Sequence, residues 1–215
     1  YLEGPAWIGE DNIFFPFCSV GVASQDLKYK GERAETRIGH RNRIREFVTI
    51  HRGTEGGGGV TSIGDDNLLM AYVHIAHDAR IGSHTILANG ATIGGHVTVG
   101  DWAVIAALSG VHQFCRVGRH AMIGAASAVT QDVLPFSLTV SERPIRLFGP
   151  NKTGLERRGF QPDTIGRLHK AFRLLSHAGL NTSQAIERIQ AEIPPTPEIE
   201  ELVAFIRSSE RGVIK

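Results

Sequence analysis

The chain has 215 residues, with 23 Lys or Arg against 22 Asp or Glu and a formal net charge of +1. That length holds one or two domains with a sizeable core, and the near-zero charge gives no ground for a nucleic-acid or membrane-surface partner. No apolar run reaches the ~18 residues of a membrane span, no segment reads as a signal peptide, and two cysteines, Cys18 and Cys115, are too few for a disulfide framework. A reducing, cytoplasmic setting is expected.

Repeat begins almost at once. Ile8, Phe14 and Val20 fall six apart within Trp7 to Ala23. The chain starts at Tyr1 without a Met, and solenoids usually open with an atypical capping repeat, so further coils are expected ahead of Tyr1. A charged loop, 24–36, follows. Ile38, Ile44 and Ile50 carry the second block, Arg37 to Arg52, and a loop at 53–61 holds four consecutive glycines, Gly56 to Gly59.

The third block, Ser62 to Val133, is the most regular. Twelve aliphatic residues recur every six positions from Ile63 to Val129 without a miss. The position four residues after each is nearly always small, as at Ala79, Thr85, Ala91, Ser109, Cys115 and Ser127, and glycine recurs every 18 at Gly64, Gly82, Gly100 and Gly118. This is the pattern of a parallel β-helix. Six residues make a short strand and a corner, and three strands make a triangular coil. The aliphatic side chain points inward, and coils stack at about 4.8 Å. Cys115 sits in a small-residue slot and reads as a buried thiol. Pro135 and Pro144 mark the end of the run, since proline cannot sustain a ladder.

From about Lys152 the pattern turns helical. Ile165, Leu168, Phe172 and Leu175 follow a 3.6-residue period, with Asp163 and Thr164 as capping candidates and Gly179 near the helix end. Ile186, Ile189 and Ile193 mark a second helix. Thr196-Pro197 opens a third, which buries Leu202, Phe205 and Ile206. The expected fold is mainly β: a β-helix over 1–150 and a helical domain over 151–215. Residues 152–173 hold six Lys or Arg and two acidic residues, either a solvated face or a dock for an acidic partner.

Six of the ten histidines lie in the long repeat. Counting by 18 puts His77, Gly95-His96 and His112-Gln113 on one edge across three coils. His84 and His120 fall elsewhere in the turn and read as surface residues. A bland reading of the edge is polar corner residues outside a prism. A metal reading needs three imidazoles. Hexapeptide-repeat carbonic anhydrases use a histidine pair four residues apart, whereas this repeat has only His74 and His77 with two residues between; no metal is expected. Acid–base chemistry is the third reading. Histidine titrates near neutrality, Asp78 is placed to orient His77, and Gly94-Gly95 leaves backbone N–H groups unshielded for an oxyanion. A base, a carboxylate and an oxyanion donor suit acyl transfer to a hydroxyl.

The motifs His74-Ile75-Ala76-His77-Asp78, Ile50-His51-Arg52-Gly53-Thr54, Ile86-Leu87-Ala88-Asn89, Val111-His112-Gln113-Phe114 and Arg157-Arg158-Gly159-Phe160, in that order, resemble the UDP-N-acetylglucosamine O-acyltransferase family from end to end. The resemblance implies a left-handed β-helix and a homotrimer with sites between subunits. It implies transfer of an (R)-3-hydroxyacyl chain from acyl carrier protein to the sugar 3-hydroxyl, the opening step of lipid A biosynthesis. By the same resemblance, His77 would be the general base, Asp78 its support and the Gly95 N–H the oxyanion donor. No cofactor beyond the carrier's phosphopantetheine and no covalent acyl-enzyme are implied. Gln25, Asp26 and Lys28 would contact the sugar or the acyl chain from a neighbouring subunit. His74, His96, His112 and Gln113 would line the sugar-nucleotide site, and Asn89 would lie near the acyl group. Asn151, Arg157 and Arg158 would sit near the diphosphate and uridine, where guanidinium groups suit phosphate oxygens.

Ala125 stands at what resembles the family's hydrocarbon-ruler position and implies a medium to long chain. Residues 137–147 fit the family least well, and nothing is carried over from them. Related readings are transfer to a 3-amino UDP-sugar and the N-acyltransferase of the same pathway. Outside the class stand a zinc carbonic anhydrase-like protein and a non-catalytic scaffold.

Overall fold

The computed structural model describes residues 1–142, 144–176 and 179–215. Its first part is the expected left-handed parallel β-helix. Three parallel sheets form the faces of a prism. The first runs through the strands Ala6–Ile8, Glu35–Ile38, Val60–Ile63, Arg80–Ile81, Thr98–Val99 and Arg116–Val117. The second includes Leu68–Leu69, Ile86–Leu87 and Val104–Ile105, and the third includes His74–Ile75, Thr92–Ile93 and Gly110–Val111. In the long run every partner lies 18 residues away, as in Ile81↔Val99 and Ile93↔Val111. Ile38↔Ile63 and Ile8↔Ile38 span 25 and 30 residues, so the two external loops add seven and twelve residues without disturbing the stack.

The twelve aliphatic residues and the small residues four positions on are buried together in one continuous core. A small residue is required there because the chain folds back across the corner, where interior density leaves no spare volume. The glycines of the 18-residue layer back onto the next coil. A Cβ at Gly64 would lie 2.8 Å from the Gly82 carbonyl oxygen, and one at Gly100 2.6 Å from the Arg119 nitrogen. The first coil differs from the expectation that its repeat residues are all enclosed: Ile8 is 37% exposed and Phe14 half-buried, because no described coil covers them on their outer side.

The corners are the most distinctive backbone feature. Among the described residues, fifteen non-glycine ones adopt left-handed conformations, with φ from 54° to 65°, a region that L-residues rarely occupy. They stack in three columns. Corner one, between the first and second faces, carries Asp11, Arg41, Asp66, His84, Trp102, His120 and Phe136. Corner two carries Phe17, Phe47, Tyr72, Leu108 and Ala126. Corner three, between the third and first faces, carries Asp78, His96 and Phe114.

After Val129 the regular coils stop. Ser137–Val140 pairs parallel with Met122–Ile123 and antiparallel with Arg146–Pro150. Four helices follow: α1 (Lys152–Arg157), α2 (Pro162–Ser176), α3 (Thr182–Glu192) and α4 (Pro197–Arg207). Leu134, Phe136 and Leu147 share a second core with the helices' apolar faces. The short α1 carries no amphipathic period and was not expected.

Asp163 and Thr164 are not caps. Pro162 begins α2, where its missing N–H costs nothing, and Asp163 in the first turn pairs with Arg167 at 2.7 Å. The third expected helix, α4, does start with Pro197 in its first turn, and Thr196 caps it by accepting from the Ile199 N–H. Phe205 is only partly buried, since its ring carries the Arg116 guanidinium 4.3 Å from its centroid. Gly179 has the left-handed φ of +64° suited to a helix end, but the two residues before it lie outside the described ones. No described helix is long and apolar enough to cross a membrane.

Candidate active site

Corner three gathers the reactive groups. His77 Nδ1 lies 2.8 Å from Asp78 Oδ2. Asp78 is 3% exposed and its carboxylate is held from the far side by Thr54, whose N–H and hydroxyl donate to it at 2.9 and 2.7 Å. The Asp78 N–H in turn donates to Thr61 Oγ1 at 2.8 Å. A carboxylate with this many donors is a fixed acceptor, so the hydrogen between His77 and Asp78 belongs on Nδ1. That leaves Nε2 with its lone pair.

The glycine-rich loop explains how the carboxylate fits. A Cβ at Gly57 would lie 1.9 Å from Asp78 Cγ, and one at Gly53 2.8 Å from its Oδ1. The loop wraps Asp78 at van der Waals distance, and only glycine permits it. Sequence reasoning noted the glycines without seeing what they enclose; it quoted Thr54 only within a motif and gave neither Thr54 nor Thr61 a role, since that role depends on the loop's path.

One coil on, Gly95 faces the imidazole. A Cβ there would meet His77 Nε2 and Cε1 at 2.7 Å, so glycine keeps that side of the ring open. The Gly94 N–H donates to the Val111 carbonyl at 2.9 Å, while the Gly95 N–H has no partner among the described residues. The oxyanion donor expected from the Gly94-Gly95 pair is thereby narrowed to Gly95. His96 stands edge-on to His77 with centroids 5.1 Å apart and stacks on Phe114 at 4.4 Å. Burial holds the His96 pKa below the ordinary histidine value.

Two hollows flank this edge. A cleft of about 860 Å³ is lined by Asp26 and Lys28, by Thr54 and Gly56 of the glycine loop, and by His96 and Phe114. Asp26 closes a turn, accepting from the Lys28 N–H at 3.0 Å. Gln25 is exposed beside it. On the third face a shallow groove of about 600 Å³ runs over Gly94, Gly95, Gly110, His112, Gln113 and Ala128. His112 and Gln113 are both exposed there.

His74 lies on the third face, bonded to Thr49 Oγ1 at 2.7 Å and edge-on to the buried His51 at 4.9 Å. Desolvation and then the neighbouring His74 and His77 push the His51 pKa down to about 4, and burial lowers that of His74. Both rings are therefore neutral near pH 7; His74 bonds Thr49, while His51 Nδ1 has no hydrogen-bond partner among the described residues. Their shared burial was invisible to an 18-residue count because the 53–61 loop breaks the register between them.

The remaining expected residues are not brought to this edge within one chain. Asn151 caps α1, accepting from the Gly154 N–H, and donates to the His120 carbonyl at 3.0 Å. Arg158 lies over the Trp102 ring, 5.0 Å from its centroid, with its pKa lowered by burial and by Arg157. Both sit at corner one. Arg157 is exposed. Asn89 and Ala125 are exposed near corner two, two coils apart. Half of the basic run at 152–173 is ion-paired among the described residues, with Lys152 on Glu156, Arg167 on Asp163 and Lys170 on Glu192.

His120 corrects an expectation. It is 4% exposed, packed between Trp102, Phe136 and Phe160. The coil count placed it off the active edge but could not foresee the aromatic rings that close over corner one. Burial, then the Arg119 and Arg158 cations, push its pKa down to about 4. His84 stacks on Trp102 at 4.0 Å and stays partly exposed.

His77, Asp78 and His96 bring donor atoms within 4.8 Å of one another, the one group among the described residues with spacing for a metal ion. Both Asp78 oxygens already accept protein hydrogen bonds, which makes the carboxylate a partner for His77 before it is a ligand.

Comparison with known proteins supports the same reading. The family profile "Udp N-acetylglucosamine O-acyltransferase; Domain 2" matches residues 132–214, and a profile of bacterial transferase hexapeptides matches 61–95. The acyl-[acyl-carrier-protein]–UDP-N-acetylglucosamine O-acyltransferase of Xylella fastidiosa is 46% identical over 205 residues, 95% of this chain and 78% of that one. That of Burkholderia lata is 46% identical over 97% of this chain and 80% of its own. The crystal structure of LpxA, a UDP-N-acetylglucosamine acyltransferase from Bacteroides fragilis, superimposes with a TM-score of 0.97 at 44% identity, covering all of this chain and 83% of that one. The Francisella novicida enzyme gives 0.92 at 39% identity over 98% and 77%. The chain belongs to the UDP-N-acetylglucosamine O-acyltransferase family.

Proposed function

We propose that the chain moves an (R)-3-hydroxyacyl group from the thioester of acyl carrier protein to the 3-hydroxyl of UDP-N-acetylglucosamine in lipid A biosynthesis, with His77 as general base. The observation that carries this is the His77–Asp78 pair, which fixes the proton on Nδ1 and aims Nε2 at the gap left by Gly95. Nε2 takes the hydroxyl proton as the oxygen attacks the thioester carbonyl. The Gly95 N–H stabilises the tetrahedral oxyanion. Collapse expels the phosphopantetheine thiolate, which recovers the proton from His77. Every atom and charge is accounted for without a covalent intermediate or a metal.

The cleft beside Asp26 and Lys28 receives the sugar or the acyl chain, and the groove with His112 and Gln113 lies along the reacting carbonyl. Asn151 and Arg158 sit at corner one, Ala125 and Asn89 near corner two, and His77 at corner three. For all of them to meet one substrate, copies of the chain must place different corners together, which supports a homotrimer. The exposed column of Phe17, Phe47 and Tyr72, stacked at 5.1 and 4.8 Å, offers apolar surface for such contacts. The reading places the enzyme in the cytoplasm, where carrier protein and sugar nucleotide are available.

The test is mass spectrometry of products from a mixture of 3-hydroxyacyl carrier proteins, offered UDP-N-acetylglucosamine, its 3-amino analogue and the 3-O-acylated, deacetylated product. A single O-acylated sugar nucleotide supports the reading, and its chain length reports on Ala125. Exclusive acylation of either amine overturns it, as does stoichiometric zinc required for turnover.

A further inference from the structure

The last residues of the chain return to the β-helix. Ser209 Oγ donates to Asp132 Oδ2 at 2.9 Å, Asp132 N–H donates to the Gly212 carbonyl at 2.8 Å, and the Ile214 N–H to the Asp132 carbonyl at 2.9 Å. Val213 and Ile214 are buried, Ile214 in the β-helix core itself. Gly212 turns the chain with φ +71°. Arg211 is thus held on both sides, and its guanidinium reaches the third-face groove. Nη2 lies 3.3 Å from His112 Nδ1 and 3.3 Å from the Thr130 carbonyl oxygen.

This contact decides which hydrogen His112 carries. A guanidinium only donates, so a bond from Arg211 requires the lone pair on Nδ1 and puts the hydrogen on Nε2. The competing neighbour of Nδ1 is the Gln113 carbonyl oxygen at 3.1 Å, which requires the hydrogen on Nδ1 instead. Both cannot be satisfied by one tautomer, and the charge-assisted bond is the stronger. The groove's other polar side chains are Gln113 and three hydroxyl residues, Thr92, Ser127 and Thr130, and the rest is glycine, alanine and apolar, so His112 is its one ring that can switch between donor and acceptor.

We propose that Arg211 is a positioning residue of the groove, locking His112 in the tautomer whose Nε2–H donates to an acceptor oxygen of the sugar nucleotide. The identity of that oxygen's owner rests on the acyl-transfer reading; the tautomer does not. The terminal segment thereby becomes part of the substrate site as well as a closure for the end of the solenoid.

The experiment pairs imidazole nitrogen NMR with steady-state kinetics on the full chain. Wild type should show His112 protonated at Nε2, and Arg211→Met should move the hydrogen to Nδ1. The variant's KM for UDP-N-acetylglucosamine should rise about tenfold, the worth of one hydrogen bond to a charged group, with kcat within about threefold. Arg211→Lys should recover part of the loss, and Arg211→Met should add nothing in a His112→Gln background. A wild-type His112 already protonated at Nδ1, or an unchanged KM in Arg211→Met, overturns the proposal. So does a fall in melting temperature with unaltered His112 signals, which assigns Arg211 to clamping the tail alone. Absence of transfer by wild type fails the acyl-transfer reading and leaves the NMR result to judge the tautomer.

Discussion

Corners one and three share a backbone and much of their residue vocabulary, yet one is sealed and the other open. Both place left-handed residues in successive coils of the long run, and both stack histidines on aromatic rings. At corner one two of the residues that precede left-handed positions bond to the next coil: the Asp65 N–H donates to Ser83 Oγ at 3.0 Å, and the Ser83 N–H to Asp101 Oδ1 at 2.7 Å. The equivalent positions at corner three are His77, Gly95 and Gln113. No side chain takes up the Gly95 N–H there, and the loop at 53–61 grips Asp78 from outside. Under the proposed mechanism, what sets corner three apart is an imidazole oriented by a held carboxylate beside an amide with no side-chain partner.

The hardest blow to corner three is His77→Ala. Turnover should fall at least about a hundredfold with the melting temperature kept; a near-normal kcat would sink the assignment of the base. Gly57→Ala tests the outer grip. Its Cβ would lie on the Asp78 carboxyl group, whereas one at the adjacent Gly56 meets nothing within 4 Å. Misplacing the dyad should lower kcat about tenfold or more, and Gly56→Ala should do far less. Equal effects would mean that the loop acts through something other than Asp78.

Corner one should answer in stability. An unfolded histidine takes its proton near pH 6.5 and His120 only near 4, so between those values the unfolded chain holds more protons and stability falls as the pH falls. The loss is about 3 kcal/mol by pH 4. His120→Phe, with a ring for the same stack and no group to charge, should flatten part of the melting-temperature decline from pH 6.5 to 4; His51, His74 and His96, all lowered by burial, contribute to the rest. An unchanged slope would remove His120 from the account. The smallest effect is expected inside the prism that both corners share. Cys115 is fully buried and burial raises its thiol pKa, so Cys115→Ala should cost about 1 kcal/mol of stability and no activity. Lost turnover would reopen covalent catalysis.

Much of the site was legible because the repeat is a ruler. With strand partners fixed at 18 residues, neighbours follow from arithmetic, and His77, Gly95, His96 and Gln113 meet where the count puts them. The count fails wherever loops or helices intervene. His51 packs on His74 across the 53–61 insertion, and His120 is covered by Phe160 from beyond the last coil.

By itself the sequence determined the prism, its core and the stacked edge, since periodic side chains and regular ladders are local rules that propagate along the chain. Folding in three dimensions was needed to reveal that Thr54 and Gly57 hold Asp78, that Gly95 and not Gly94 keeps a free amide, and that Arg211 reaches His112 from 99 residues away. Those contacts join segments with no common period. Their positions depend on how each loop and tail fills the space left by the coils, and packing settles that while spacing carries no record of it.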